Sequence, residues 1–263
     1  MRNAISWHEL YATDVERAKA FYAALFGWTY AAFEATEDPY WVIHDGSQQT
    51  GGIMKNPHPD EMPASWGIYV EVEDTDQTAE RVRQLGGHVA QAPWDIPTVG
   101  RLAVFADPQG AVFMVLRPDG PPSDAAPSEP PRAGQFCWYE LSTPDPRAAQ
   151  RFYSGLFGWE TEAPDIGAGE RASIFKAGGG PFAGVSTPPA GSPAPPHWGV
   201  SIAVADCDDA VGRVKALGGV VHVAPFAVGA IGRSAVCADP GGATFALFEA
   251  DMAGMADLMA RYG

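Results

Sequence analysis

The sequence predicts an α+β protein made of four βαβββ modules, paired into two tandem domains. Three observations predict it. The chain repeats itself, each copy reads strand, helix, strands twice over, and proline-rich stretches separate the units. Trp7, Glu9, Asp14, Phe21, Tyr22 and the run Leu25 to Trp28 recur 131 residues later. Trp66, Gly67, Asp74, Leu85 to Gly87, Gly100, Arg101, Asp107 and Pro108 recur at an offset of 132.

Each element has a local reason. Residues 5–11 alternate, which puts Ile5, Trp7, Glu9 and Tyr11 on one face of a strand and Ser6, His8 and Leu10 on the other. Asp14 caps the following helix, where Ala18, Phe21, Tyr22 and Leu25 form one apolar stripe, and Gly27 stops it. In the second copy Pro146 takes the first helical turn, where a missing N–H costs nothing. The second half of each copy opens on WGIYVEV (66–72) or WGVSIAV (198–204) and continues in a helix that ends at Gly86-Gly87 or Gly218-Gly219. Two strands then close the sheet, joined by the tight-turn sequences DPQG (107–110) and DPGG (239–242). The stretches NPHPDEMPAS (56–65) and STPPAGSPAPP (186–196) divide each copy, and residues 117–135 form an extended Pro-rich connection between copies. The domains therefore fall at 1–118 and 135–250, with a linker at 119–134 and a short Met/Leu-faced helix at 251–263. Cutting the 117–135 linker is expected to leave two folded halves, either separate or still associated.

Composition narrows the function. The 17 Lys+Arg against 32 Asp+Glu give a net charge of −15, which argues against a nucleic-acid partner and an anionic membrane surface. No apolar run approaches the roughly 18 residues of a membrane span. The start, MRNAISWHEL, lacks the apolar core of a signal peptide, so a cytoplasmic protein is expected. Cys137, Cys207 and Cys237 lie far apart and read as reduced thiols.

The D-x-x-R/K-A-x-x-FY-x-x-LFGW helix, the LGG helix end and the DPxG hairpin resemble the vicinal oxygen chelate superfamily of glyoxalase I, bleomycin-resistance proteins and extradiol dioxygenases. Doubled domains opening on a W-x-(E/D)-L strand are similar to a glyoxalase-like branch, hydroxylases by name, among actinobacterial antigens of about this length. The resemblance implies sheets that curl into a cup around a small molecule or a metal. In metal-using members, His and Glu ligands come from the first and last strands of each module. Carried over one by one, those positions fall on Trp7, Gly67, Met114 and the neighbourhood of Ile53, and in the second copy on Trp138, Gly199, Ala246 and Gly184. None of these side chains holds a hard or borderline cation, so no metal cofactor is expected, a divalent ion on displaced ligands being the alternative.

What recurs on the expected concave face is Trp7/Trp138, Glu9/Glu140 and Arg101/Arg233, with Tyr69 matched by Ser201 and Met114 by Ala246. An aromatic wall beside one carboxylate suits a small organic ligand, and a desolvated Glu9 or Glu140 could serve as general acid or base. If Arg101 reaches the carboxylate instead, the pair is structural. Two functions follow: binding or sequestration of a small molecule without metal, in the bleomycin-resistance manner, or an enzyme of the lyase, isomerase, hydroxylase or oxygenase kind. The duplication supplies within one chain the pairing that shorter relatives reach by dimerising, so a monomer or a homodimer is expected.

Overall fold

A computed structural model describes residues 3–253 except 37, 61, 121–130, 164, 168–169, 172, 179, 189–190 and 192–193. Most of the linker and the tail expected to be helical lie outside the described residues. The first copy contains β1 (Ile5–Ala12), α1 (Val15–Phe26), β2 (Thr29–Phe33), β3 (Tyr40–Asp45), β4 (Gln48–Lys55), β5 (Ser65–Glu71), α2 (Thr75–Gln84), β6 (His88–Ile96), β7 (Gly100–Ala106) and β8 (Val112–Pro118). The second contains β9 (Phe136–Ser142), α3 (Pro146–Phe157), β10 (Glu160–Glu162), β11 (Asp165–Gly167), β12 (Glu170–Arg171), β13 (Ser173–Ala177) and β14 (Gly180–Ser186). It ends with β15 (His197–Ala203), α4 (Cys207–Ala216), β16 (Val220–Val228), β17 (Gly232–Ala238) and β18 (Thr244–Ala250). No described helix is long and apolar enough to cross a membrane.

Each copy builds one eight-stranded mixed sheet, ordered β2-β3-β4-β1-β5-β8-β7-β6 and β10-β13-β14-β9-β15-β18-β17-β16. The two modules join through the antiparallel pairs β1–β5 and β9–β15, while β4 runs parallel to β1, β8 to β5, β14 to β9 and β18 to β15. A small β11–β12 ribbon is added in the second copy. The helix caps are as the sequence requires: Asp14, Asp74, Asp145 and Asp206 each accept a backbone N–H from the first turn. Gly27 and Gly158 end α1 and α3 at φ 78° and 72°, left-handed values that favour glycine.

The two sheets share one core. Phe21, Tyr22 and Phe26 of α1 pack edge-on against Phe245 of the second sheet, and Phe152, Tyr153 and Phe157 of α3 pack against Phe113 of the first. The exchange is reciprocal in its polar contacts too. Trp198 Nε1 donates to Tyr153 Oη at 2.9 Å, and that hydroxyl donates to Asp107 Oδ2 of the other copy at 3.3 Å. Trp66, Tyr22 and Asp239 form the matching relay. Gly87 has no room for a side chain, because a Cβ would meet the Ala106 carbonyl at 2.9 Å and the Phe152 ring at 3.0 Å. At the centre, His8 Nδ1 donates to the Thr50 carbonyl (2.6 Å), so its Nε2 accepts from Tyr139 Oη (2.7 Å), while its ring stacks on Phe136 at 3.6 Å. Burial pushes this imidazole down to about 4, and it stays neutral. The alternation of the first strand places His8 on this side, and the structure gives it an interdomain role.

Candidate functional site

The face of each sheet turned away from this core carries the residues singled out on the alternating first strand. Cross-strand register sets them in two rows. Trp7 lies opposite Tyr69, which lies opposite Met114. Glu9 lies between two glycines, Gly52 on β4 and Gly67 on β5. Both glycines leave room for a neighbouring side chain. A Cβ at Gly52 would collide with the Tyr40 hydroxyl, and one at Gly67 with the Met114 methyl. The second copy repeats the frame: Trp138 opposite Ser201 and Ser201 opposite Ala246, with Glu140 between Gly184 and Gly199. There the Glu140 carboxylate itself lies over Gly184.

In the first cup Glu9 is 3% exposed. Its Oε2 accepts from Tyr40 Oη at 3.1 Å and from Tyr69 Oη at 3.5 Å, and Trp7 Nε1 donates to Tyr40 Oη at 3.0 Å. Tyr11 completes the ring of phenols through its contact with Tyr69. The other Glu9 oxygen, Oε1, is buried without a partner among the described residues. Desolvation pushes the carboxyl up to about 8, and the two phenol donors only partly offset it. Glu9 is therefore a neutral acid at pH 7, able to donate from Oε1. Burial, and after it the charge Glu9 carries when ionised, raises Tyr11, Tyr40 and Tyr69, which remain protonated donors. Glu140 is less buried; desolvation raises it as well, opposed by hydrogen bonds from Ser186 and Trp138.

Two expectations require correction. Arg101 and Arg233 do not face the cup. On β7 the cup-facing residues are Leu102 and Val104, so Arg101 points to the helix side, where Nε reaches Asp76 and Nη1 reaches Asp95, both at 2.7 Å. Arg233 likewise pairs with Asp208 at the start of α4 and with Glu249. Neither guanidinium touches Glu9 or Glu140. The second correction is one of register: Ile53 is fully buried in the interdomain core, and the cup-facing residue beside it is Gly52. Sequence reading also missed Tyr11 as a site member and Tyr40 altogether. The alternation after Glu9 was the signal for Tyr11, while Tyr40 is recruited only by the pairing of β3 with β4.

The metal test gives one answer in both cups. The four positions where the family resemblance implies metal ligands hold Trp7, Gly52, Gly67 and Met114, or Trp138, Gly184, Gly199 and Ala246. Indole, glycine, thioether and methyl do not suit a hard or borderline divalent ion. Among the described residues no three His, Cys, Asp or Glu side chains converge where an ion could sit. One carboxylate ringed by phenols is a hydrogen-bonding centre.

Comparison with known proteins agrees with this architecture. Residues 4–115 match the profile of the Glyoxalase/Bleomycin resistance protein/Dioxygenase superfamily, and residues 138–248 match a glyoxalase-like domain. CFP32 of Mycobacterium tuberculosis, whose name carries the word glyoxylase, is 31% identical over 253 residues, covering 93% of this chain and 94% of its own. The anthracycline biosynthesis protein DnrV of Streptomyces peucetius is 35% identical over 265 residues, covering 94% and 93%. Among solved structures, the Mn(II)-bound glyoxalase of Novosphingobium aromaticivorans superposes with a TM-score of 0.64 at 18% identity, over 94% of this chain and 82% of that one. 4-Hydroxymandelate synthase of Streptomyces coelicolor superposes with a TM-score of 0.63 at 14% identity, over 95% and 93%. At those identities the likeness is one of fold.

Proposed function

The chain belongs to the glyoxalase/bleomycin resistance protein/dioxygenase superfamily, and from that premise we propose that it binds a small organic molecule in a cupped sheet without a divalent metal. The observation that carries this reading is the pairing, in each copy, of a carboxylate flanked by glycines (Glu9 buried, Glu140 half-buried) with an indole wall, on the strands where the family resemblance implies metal ligands. The rings provide apolar area and the acid provides direction, the usual division of labour in a small-molecule site. A chain of net charge −15 favours a neutral or cationic ligand over a polyanion. Nucleic acid and membrane surfaces are disfavoured for the same reason.

A second reading is an enzyme in which Glu9 or Glu140 moves a proton. It is favoured by the unpartnered Oε1 of Glu9 and by a carboxyl poised near neutrality. Both readings use the same acids and neither routes a step through a metal. The test is a titration of chelator-stripped protein with a panel of small phenols, quinones and aldehydes, followed by tryptophan fluorescence. Saturable binding with no added metal is expected. Saturation that appears only after Mn(II), Fe(II), Ni(II) or Zn(II) is supplied would overturn the proposal.

A further inference from the structure

We propose that the two cups have divided their roles: the first is filled by its own side chains, and the second is the ligand site, fitted to a flat hydroxyaromatic molecule whose phenol hydroxyl lies on Glu140. This rests on the reading that the cups take small organic molecules, and it names which cup and which chemistry. The internal repeat is its own control, since each position of one cup has a counterpart in the other.

The first cup contains its own occupant. Tyr69, Leu102 and Met114 form an apolar cluster separate from the interdomain core, with Trp7, Tyr11 and Trp94 packed against it. Two phenols deliver their hydroxyls to Glu9. In the second cup four of those six residues are small: Tyr11 becomes Ser142, Tyr69 becomes Ser201, Leu102 becomes Ser234 and Met114 becomes Ala246, while Trp7 and Trp94 are matched by Trp138 and Phe226. The counterpart of Tyr40 in the sequence is Ala172, outside the described residues. On the same face Leu116 is matched by the larger Phe248, opposite Ser234, so one ring is gained where four large side chains are lost; the net loss leaves space that the backbone, held in the same register, cannot close.

The walls of that space are apolar and partly exposed. Phe226 occupies the place of Trp94, but it lies opposite Ser234 instead of a leucine and stays 44% exposed; Val223, two register positions up the same face, is also 44% exposed. Exposed rings and branched chains on a concave face are surface that a ligand would cover. Trp138 and Glu140 are retained, and the carboxylate, with Trp138 and Ser186 as its donors, lacks any phenol from β15. What has been removed from the second cup is a phenol ring resting beside an indole with its hydroxyl on a carboxylate. A ligand that restores those contacts is a planar ring system bearing a hydroxyl.

The experiment uses the full-length chain with 2-naphthol as probe and naphthalene as the control lacking the hydroxyl. Wild-type protein should bind one equivalent of 2-naphthol, and naphthalene at least about tenfold more weakly, as the loss of one hydrogen bond to the Glu140 carboxyl group implies. The pair S201Y/A246M, which copies the first cup into the second, should weaken 2-naphthol binding by more than about tenfold; A246M alone serves if the pair fails to fold. The pair Y69S/M114A, which empties the first cup, should leave that site intact and add a second. The division of roles is overturned if S201Y/A246M binds like wild type while Y69S/M114A alters affinity. The hydroxyaromatic assignment is overturned if naphthalene and 2-naphthol bind alike. Failure of the parent reading looks different: it shows as binding that depends on added metal.

Discussion

Residues 1–118 produced without the rest of the chain are expected to aggregate or to pair with themselves, and not to stand as a folded monomer. In the whole protein Phe21, Tyr22, Phe26 and Phe113 are packed against the other copy. Exposing each such ring forfeits roughly 1.5–3 kcal/mol, so a handful removes most of the 5–15 kcal/mol typical of a whole domain. Asp107, buried and raised by desolvation, would also lose the Tyr153 hydroxyl. Self-pairing is open to the fragment because the interface is reciprocal: Tyr22 of one copy could seat on Asp107 of another. Cleavage of the intact protein within 121–130 should have the opposite outcome, two fragments that copurify and melt together. Light scattering coupled to gel filtration decides it. A monomeric fragment 1–118 with a cooperative melt would show that the shared core is dispensable.

Glu9→Gln should stabilise the protein in alkaline solution and leave it unchanged in acid. Glu9 is held neutral in the fold with a value of about 8, against 4.5 for the unfolded chain. Below 4.5 both states carry the proton and the residue costs nothing. As pH rises from there the unfolded state ionises and the folded state does not, so stability falls by about 1.4 kcal/mol per unit. Across that window the loss reaches roughly 5 kcal/mol, an upper figure for a fully desolvated acid. Glutamine keeps the acceptor for Tyr40 and Tyr69 and never ionises. Denaturant melts of wild type and variant at pH 4.5 and pH 8.5 should therefore diverge only at the higher value. Equal stability at both, or a variant that is weaker at pH 8.5, would mean that Glu9 is ionised and holds its strand in place.

The fold was legible because each of its devices acts within a few residues. Asp14 and Asp145 cap the next turn, Gly27 and Gly158 adopt the left-handed conformation, and the alternation of residues 5–11 separates the cup face from the core face. The purpose of the strongest repeated motifs was not legible. The FY pair, the LGG helix ends and the DPxG aspartates meet across the two copies, Tyr153 on Asp107 and Phe152 beside Gly87, and no local pattern reveals a partner so far along the chain. At the site, Trp7 and Glu9 followed from alternation, while Arg101 was misassigned because its place at the start of β7 gave no preceding period to fix its face. In GGIMK alternation does not say whether Gly52 or Ile53 looks inward; only pairing with β1 does. Tyr40 reaches Glu9 from two strands away.

The account stands on the inability of Trp7, Gly52, Gly67 and Met114, and of their second-copy counterparts, to grip an ion. Elemental analysis of the protein as purified, followed by calorimetric titration of the chelator-stripped protein with Mn(II), Fe(II), Ni(II) and Zn(II), tests that most directly. The expected result is metal far below one equivalent per chain and no saturable heat with any of the four. One tightly held equivalent per cup, lost in a Glu9→Gln/Glu140→Gln double variant, would contradict it.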